Sequence, residues 1–428
     1  MPELKNINIG LMGLGTVGGG VYKLIERRQE EIEKKTGTHI QISKVLVRNL
    51  DKERPGVPAS VLTDRWEDIL EDDDIDIVVE VTGGIEPART RIIQALNAGK
   101  NVVTANKDLI AEYGAELFET ADNNGKDFLF EAAVAGGIPI IRPLKECLAG
   151  NEITEVMGIV NGTTNYILTR MSEDGMDFDE ALSIAAKLGY AEADPTADIE
   201  GYDAGRKVAI MASLAFHSHV TFADVDIEGI TKLTAKDIKF AENFGKVIKL
   251  LGIAKNTDEG IEASVHPVLI DRNHPLASVR DAFNAVFVHG DAVDDAMFYG
   301  RGAGEFPTAS AVTGDIIEAA RNIASGCTGR ISCAAYRDIP VKPADEVKDK
   351  YFLRIKAADR PGVMAGVTGV LGNNQISITQ VVQTAAVDGE AEMVIMTDEV
   401  RRKHFSDALI ILNEMSSVRK ICSVIRVY

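Results

Sequence analysis

Apolar and polar residues alternate over 7–11 (INIGL), and then the period changes. After a run of glycines, Val17, Val21, Leu24 and Ile25 recur at helical spacing. The first segment predicts a short buried strand and the second an amphipathic helix. The same succession repeats downstream. Residues 40–47 alternate, and 75–81 form a near-continuous apolar run after the acidic turn Asp72-Asp73-Asp74. Residues 101–104 and 128–134 read as further strands. Between them the spacing predicts helices over 87–98, stopped by Gly99, and over 109–123. Strands and helices in alternation predict an α/β fold built on a doubly wound parallel sheet, Rossmann-like in its spacing.

From residue 138 the pattern becomes irregular. Pro139 and Pro143 bracket a segment leading into a helix that runs to about Cys147. A strand over 153–160 and a helix over 179–187 follow, and then an apolar helix carrying Val208, Ile210, Met211 and Leu214. Residues 267–277 and 282–289 read as strands. The small-residue helix over 308–324 is expected to return against the first domain. Residues 325–350, rich in Gly, Pro and charge, read as a linker. The rest reads strand, helix, strand, strand, helix, strand over 351–427, the ferredoxin-like split βαβ arrangement. It is expected to be an independent unit without catalytic groups of its own. The domain organisation is therefore 1–135 completed by 308–324, then 136–307 as an α+β domain, 325–350, and 351–428.

A net charge of -19 over 428 residues argues against binding nucleic acid or a membrane surface. No apolar run is long enough to span a bilayer, and no signal peptide is visible. Cys147, Cys327, Cys333 and Cys422 show no C-x-x-C spacing, so reduced thiols and a cytoplasmic enzyme are expected.

The first glycine run is G-x-G-x-x-G between a predicted strand and a predicted helix, the context in which it binds a dinucleotide. Gly13 allows the tight turn, Gly15 lets a pyrophosphate approach the backbone, and Gly18 lets the helix pack on the strand. Leu14, Thr16 and Val17 complete the turn. Arg48, with Lys52 and Arg54 behind it, stands where an NAD site carries an acid, which favours the 2′-phosphate of NADP. Thr82, Gly83, Asn106 and Lys107 follow strand ends on the same sheet edge. A dense polar stretch holds Tyr190, Glu192, Asp194, Asp198, Glu200, Asp203, Arg206 and Lys207. Asp203 and Lys207 share a helix face; the apolar continuation suggests partial burial, where charges are paired or used. A second glycine turn, 300–307, opens the small-residue helix.

These motifs together resemble homoserine dehydrogenase in its longer bacterial form with a C-terminal ACT domain. GLGTVG, Val103-Thr104-Ala105-Asn106-Lys107, the stretch LGYAEADP with Asp198, Asp203 and Lys207, and Asp359-Arg360-Pro361-Gly362-Val363 carry the resemblance, which spans the whole chain. It implies reversible reduction of L-aspartate 4-semialdehyde to L-homoserine, with NADP or NAD, on the route to threonine and methionine. It implies that Glu192 and Asp203 hold the substrate ammonium, with Asp198, Tyr190, Gly162 and Thr163 lining the same pocket. Lys207 would give the proton to the carbonyl oxygen, and Lys107 would lie by the nicotinamide and share that transfer. Gly304 and Glu305 would lie near the nicotinamide too. Glu131, Val134, Gly136 and Ile138 would bind a monovalent cation, sodium, through the backbone. The resemblance further implies L-threonine as effector of the ACT domain and a homodimer or homotetramer. Removal of residues from Tyr351 onward is expected to leave turnover and abolish threonine sensitivity. The chemistry agrees with the residue types, because hydride attack builds negative charge on oxygen that an ammonium stabilises and then protonates. The rival of another class is a sensor that keeps the fold without catalysis.

Overall fold

A computed structural model describes residues 4–428. In chain order the first elements are β1 (Lys5–Met12), α1 (Thr16–Thr36), β2 (Thr38–Leu46), β3 (Leu62–Thr63), α2 (Glu67–Leu70) and β4 (Ile75–Glu80). Next come α3 (Ala88–Asn97), β5 (Asn101–Thr104), α4 (Lys107–Asn124), β6 (Phe128–Leu129) and β7 (Ile153–Ile159). The middle holds α5 (Gly162–Glu173), α6 (Phe178–Lys187), α7 (Thr196–Ile199), α8 (Tyr202–Phe216), β8 (Asp226–Ile227) and α9 (Ala235–Asn243). Then follow β9 (Lys246–Thr257), β10 (Gly260–Asp271), β11 (Phe283–Gly290), β12 (Asp294–Arg301) and α10 (Glu305–Ser325). The last elements are β13 (Lys348–Ala358), α11 (Val363–Asn373), β14 (Ile378–Gln383), β15 (Glu390–Thr397), β16 (Val400–Arg401), α12 (Arg402–Glu414) and β17 (Val418–Val427). Among the described residues no helix is long and apolar enough to cross a membrane.

The chain packs as two compact units. The first comprises Met1–Val156, Arg206–Asp224 and Asn284–Ile339. Its parallel sheet has the order β3-β2-β1-β4-β5-β6. Ile7, Ile9 and Leu11 of β1 pack with Val21 and Ile25 of α1 and with Val312, Ile316 and Ala319 of α10, all buried. Each buried Ile, Leu or Val among them contributes about 1.5–3 kcal/mol by leaving water. The two helices approach closely because Gly20 has no side chain: a Cβ there would lie 2.9 Å from both the Ala309 Cβ and the Glu305 carbonyl. The return of the small-residue helix against β1 and β2 thus follows from its composition, although it starts at Glu305 rather than at 308. The strand expected over 128–134 stops at Leu129 and turns at Glu131–Ala133. There the Glu131 carboxylate faces the backbone N–H groups of the turn that follows. The helix expected to reach Cys147 is one wide turn, Pro143–Cys147.

The second unit comprises Met157–Gly205, Val225–Phe283 and Pro340–Tyr428. Its longest pairing is the antiparallel hairpin β9–β10. Of the strand expected over 267–277, residues 267–271 form the end of β10 and the rest is a turn leading into the short helical turn Pro275–Ser278, and β9 was not expected. The C-terminal segment forms the sheet β17-β13-β15-β14. Its own core includes Leu353, Ile355, Val367, Leu371, Phe405 and Leu412. That is the ferredoxin-like arrangement, with one strand edge joined to the rest of the unit. β17 pairs in parallel with β10 through Val268↔Arg426 and Leu269↔Val427, so the sheet runs on from the hairpin. The expected linker is already part of this unit from Pro340, with Val341 bridged to Ile261 and β13 starting at Lys348.

Candidate active site

In the first unit the strand register sets one edge of the parallel sheet. Met12 pairs with Glu80, and Glu80 with Thr104, so β1, β4 and β5 end level. Gly13, Thr82 and Asn106 therefore leave from the same edge, where ligands of open α/β sheets bind. Gly13 has φ +96°, a left-handed conformation that favours glycine, and its N–H donates to the Leu46 carbonyl at 3.0 Å. A Cβ on Gly18 would fall 2.2 Å from the Gly13 carbonyl oxygen, so only glycine lets α1 start there. A Cβ on Gly15 would meet nothing within 4 Å. The space above Gly15 and Thr16 is thus an open cradle at a helix N-terminus, a fit for a pyrophosphate. Leu14 and Val17, partly buried, pack against the core, and Leu14 also lines the cavity beside Gly15.

Glu80, by its local pattern an ordinary strand residue, organises the next loop. It is fully buried and accepts from the Thr82 N–H (2.8 Å), the Thr82 hydroxyl (2.6 Å), the Gly83 N–H (3.1 Å) and the Thr104 hydroxyl (2.6 Å). Asn106 caps α4 by accepting from the Leu109 N–H at 3.2 Å and donates to the Gly84 carbonyl at 2.6 Å. Loop 82–84 and the start of α4 are in this way one hydrogen-bonded piece. Arg48 stands exposed beyond β2. Lys52 and Arg54 line a cavity of about 720 Å³ with Gly15, Thr16 and Glu305. Glu305 follows Gly304 (φ +124°) at the start of α10 and pairs with Lys23 at 2.6 Å.

Lys107 is the first residue of α4, and Lys207 lies half-buried in α8, within the part that belongs to the same unit. Their chain neighbours are joined: Arg206 Nε donates to Asp108 Oδ1 at 2.8 Å. Asp108 was not singled out from the sequence.

The acidic residues lie in the second unit. Asn161 caps α5 by accepting from the Thr164 N–H at 2.9 Å. Its Nδ2 donates to Asp198 Oδ1 at 2.7 Å and to Asp203 Oδ2 at 2.9 Å. One amide therefore gathers two carboxylates, and Asp203 is buried. Gly162 opens α5, and Thr163 donates its hydroxyl to the Tyr190 carbonyl at 2.7 Å. The Tyr190 ring, half exposed, lies 5.0 Å from that of Tyr166. Glu192 lies on the exposed turn after α6. Asp194 is used locally, accepting from the Thr196 N–H at 3.1 Å. Two carboxylates brought side by side on one neutral amide concentrate negative charge there, the kind of group that holds an ammonium by charge-assisted bonds. Asn161 was legible only as a helix cap, an Asn directly before a helical run.

The loop with Glu131, Val134, Gly136 and Ile138 lies in the first unit. Glu131 is buried, and its carboxylate accepts from the N–H groups of Ile140, Ile141 and Arg142 at 2.6, 2.7 and 2.8 Å. Its own N–H donates to Asp315, whose other oxygen accepts from Arg142. Burial and the nearby Glu131 charge push the Asp315 carboxyl up to about 8, against the pull of Arg142. Ala135 and Gly136 both have φ +54°, and a Cβ on Gly136 would strike the Gly302 carbonyl at 2.1 Å. The side chain of Glu131 is thus committed to the backbone, and carbonyl oxygens are what this loop can offer a hard cation. Among the described residues no group of three or more His, Cys, Asp or Glu side chains is placed to hold a metal.

Three family models match the chain. Residues 13–131 match the NAD-binding domain of homoserine dehydrogenase, 139–317 match homoserine dehydrogenase, and 351–414 match the ACT domain. Homoserine dehydrogenase of Bacillus subtilis is 44% identical over 99% of both chains. The crystal structure of a homoserine dehydrogenase from Thiobacillus denitrificans superposes with a TM-score of 0.94 at 43% identity, covering 100% of this chain and 99% of that one. A hyperthermophilic archaeal homoserine dehydrogenase in complex with NADPH matches 73% of this chain and 97% of its own, at 29% identity and a TM-score of 0.62. With a glycine turn shaped for a dinucleotide, a lysine at the edge of that sheet and full-length likeness of this degree, the chain belongs to the homoserine dehydrogenase family of NAD(P)-dependent oxidoreductases.

Proposed function

We propose that the enzyme reduces L-aspartate 4-semialdehyde to L-homoserine, reversibly, with NADPH preferred to NADH. The observation that carries the substrate assignment is the pair Asp198 and Asp203 gathered on Asn161 in a chain of this family. Asp203 and Glu192 bind the α-ammonium of the amino acid, and Asp198, Tyr190, Gly162 and Thr163 line the pocket. Bound NADPH supplies the hydride that goes to the aldehyde carbon. Lys207 stabilises the negative charge that develops on the aldehyde oxygen and then gives it a proton, so that one C–H and one O–H bond form. Lys107 shares that transfer. Arg48, Lys52 and Arg54 support NADP over NAD, as does the NADPH complex of the archaeal relative. The open cradle at Gly15 takes the pyrophosphate, and Thr82, Gly83, Asn106, Gly304 and Glu305 border the nucleotide.

Carbonyl oxygens of Glu131, Val134, Gly136 and Ile138 hold a monovalent cation, sodium, in a structural role. The domain matched as ACT takes L-threonine as feedback inhibitor, in a cytoplasmic homodimer or homotetramer. The test is L-homoserine oxidation followed at the nicotinamide absorbance with NADP and NAD in parallel, with L-threonine titrated in, on the wild type and Lys207→Ala. Turnover that threonine suppresses, and that falls by orders of magnitude in Lys207→Ala while NADPH still binds, is expected. Full turnover in Lys207→Ala refutes the proton donor. No turnover in wild-type protein that binds NADPH favours the sensor. Turnover indifferent to threonine removes that effector.

A further inference from the structure

Two residues outside the assigned set sit directly beside the two lysines. Asp108 follows Lys107 in the first turn of α4, and Arg206 precedes Lys207 in α8. Arg206 Nε lies 2.8 Å from Asp108 Oδ1, and its guanidinium stacks over the Phe222 ring at 4.8 Å. The stack fixes the guanidinium plane, and the ion pair fixes where α4 begins relative to α8. All of these residues belong to the first unit.

One turn further on, Ile110, Gly114 and Phe118 of α4 and Ile210 and Leu214 of α8 line a cavity of about 290 Å³. Those positions continue the stripes that start at Lys107/Asp108 and at Arg206/Lys207, at spacings of three and four residues. Both helices thus border this cavity, together with residues 218–220 and 333–335, and the Arg206–Asp108 ion pair stands at its lysine end. The side chains of Arg206 and Asp108 are 30% and 41% exposed. A pair so exposed is worth at most about 1 kcal/mol in stability. Its consequence is geometric, since a misplacement of about 1 Å in a catalytic group can cost a hundredfold in rate.

We propose that Asp108 and Arg206 are positioning residues, whose ion pair sets Lys107 and Lys207 in register for proton transfer. This rests on the roles given above to the two lysines. The pair acts on the transition state, so its loss lowers kcat and leaves nucleotide binding alone. It acts as one device, so removing the second partner after the first changes little.

The experiment uses the full-length chain with Asp108→Asn, Arg206→Gln and the double variant, beside Lys107→Ala and Lys207→Ala. Homoserine oxidation gives kcat and KM, NADPH fluorescence gives its Kd, and a thermal melt gives the midpoint. Each single variant is expected to lose about tenfold or more in kcat by displacing the lysines. NADPH Kd and melting midpoint should be unchanged, and the double variant should be no slower than the worse single. A purely structural pair would instead lower the midpoint and leave the kcat of the folded protein intact, which overturns the proposal. Losses that multiply in the double variant overturn it too. If the lysine variants lose turnover and the pair variants do not, the positioning role falls and the lysine assignment stands. If both lysine variants turn over normally, the lysine assignment itself falls.

Discussion

The C-terminal segment is joined to the rest of its unit by a buried charge, and that joint can be measured. Arg354 of β13 is 4% exposed, and Asp237 of α9 is fully buried. Arg354 donates from Nε to Asp237 Oδ1 at 2.9 Å, from Nη1 to Glu392 at 3.3 Å and from Nη2 to the Thr234 hydroxyl at 3.2 Å. Asp237 is also half of the capping box that starts α9, and Ser423 of β17 donates to it. Arg354→Met keeps the length of the side chain but leaves the Asp237 carboxylate in a dry site without its cation. Breaking a buried pair from one side costs about 3–5 kcal/mol. With a urea slope of about 2–3 kcal/mol/M, the unfolding midpoint of this unit should fall by about 1–2.5 M. Arg354→Met with Asp237→Asn keeps the cap's acceptor and removes the orphaned charge. It should recover about 2 kcal/mol relative to the sum of the singles. A loss under about 1 kcal/mol for Arg354→Met, or strict additivity in the double variant, would sink the reasoning, because a buried unpaired carboxylate cannot be that cheap. The same joint changes the expectation for truncation. Removing residues from Tyr351 onward takes away Arg354, Ser423 and Arg426, opens the β10 edge at Val268 and Leu269, and strips partners from Asp226 and His266. The truncated chain is therefore expected to lose stability rather than only its regulation, so threonine sensitivity is to be tested on full-length protein.

The glycine turn makes two opposite predictions. Gly15→Ala, placed in open space, should melt like wild type but bind NADPH about tenfold more weakly, through lost backbone–phosphate hydrogen bonds; unchanged affinity would mean that the pyrophosphate lies elsewhere. Gly18→Ala drives a methyl into the Gly13 carbonyl and should cost about 1–3 kcal/mol in stability, read by the shift of the melt. Lys249 of β9 is buried, donates to the Val279 carbonyl and to Asn165, and is pushed down to about 8 by burial. Between about 8 and 10.5 the unfolded chain holds this proton and the folded one does not, so stability rises with pH across that window. The gain is up to about 3 kcal/mol. It is measured as the difference in pH dependence between wild type and Lys249→Met, and parallel curves would refute it.

What could be read in advance from the sequence divides along physical lines. The parallel sheet was legible because its strands are apolar on both faces and its helices carry one apolar stripe, as in Ile75–Glu80 and in α1 with Val21 and Ile25. The roles of Gly13 and Gly18 were legible because a turn that tight admits few residues. The β9–β10 hairpin was missed because its strands mix lysine, glutamate and serine with apolar residues, and their burial comes from pairing rather than from local pattern. β17 looked like the last strand of a separate domain because nothing local marks a partner as distant as Val268. Glu80, Asn161 and Asp108 escaped for a related reason. Each is an ordinary polar residue in its own segment, and its weight comes from what the fold brings to it: hydroxyls of Thr82 and Thr104, carboxylates of Asp198 and Asp203, the guanidinium of Arg206. Groups that act on a ligand belong to a small set of residue types at recurring spacings, so a motif can announce them. Groups that hold those residues in place need only a complementary partner, which any of several residue types can supply, and that partner is set by tertiary contact. Positioning residues should therefore be the ones missed whenever a site is read from sequence, and the ones where a structure adds most to the mechanism.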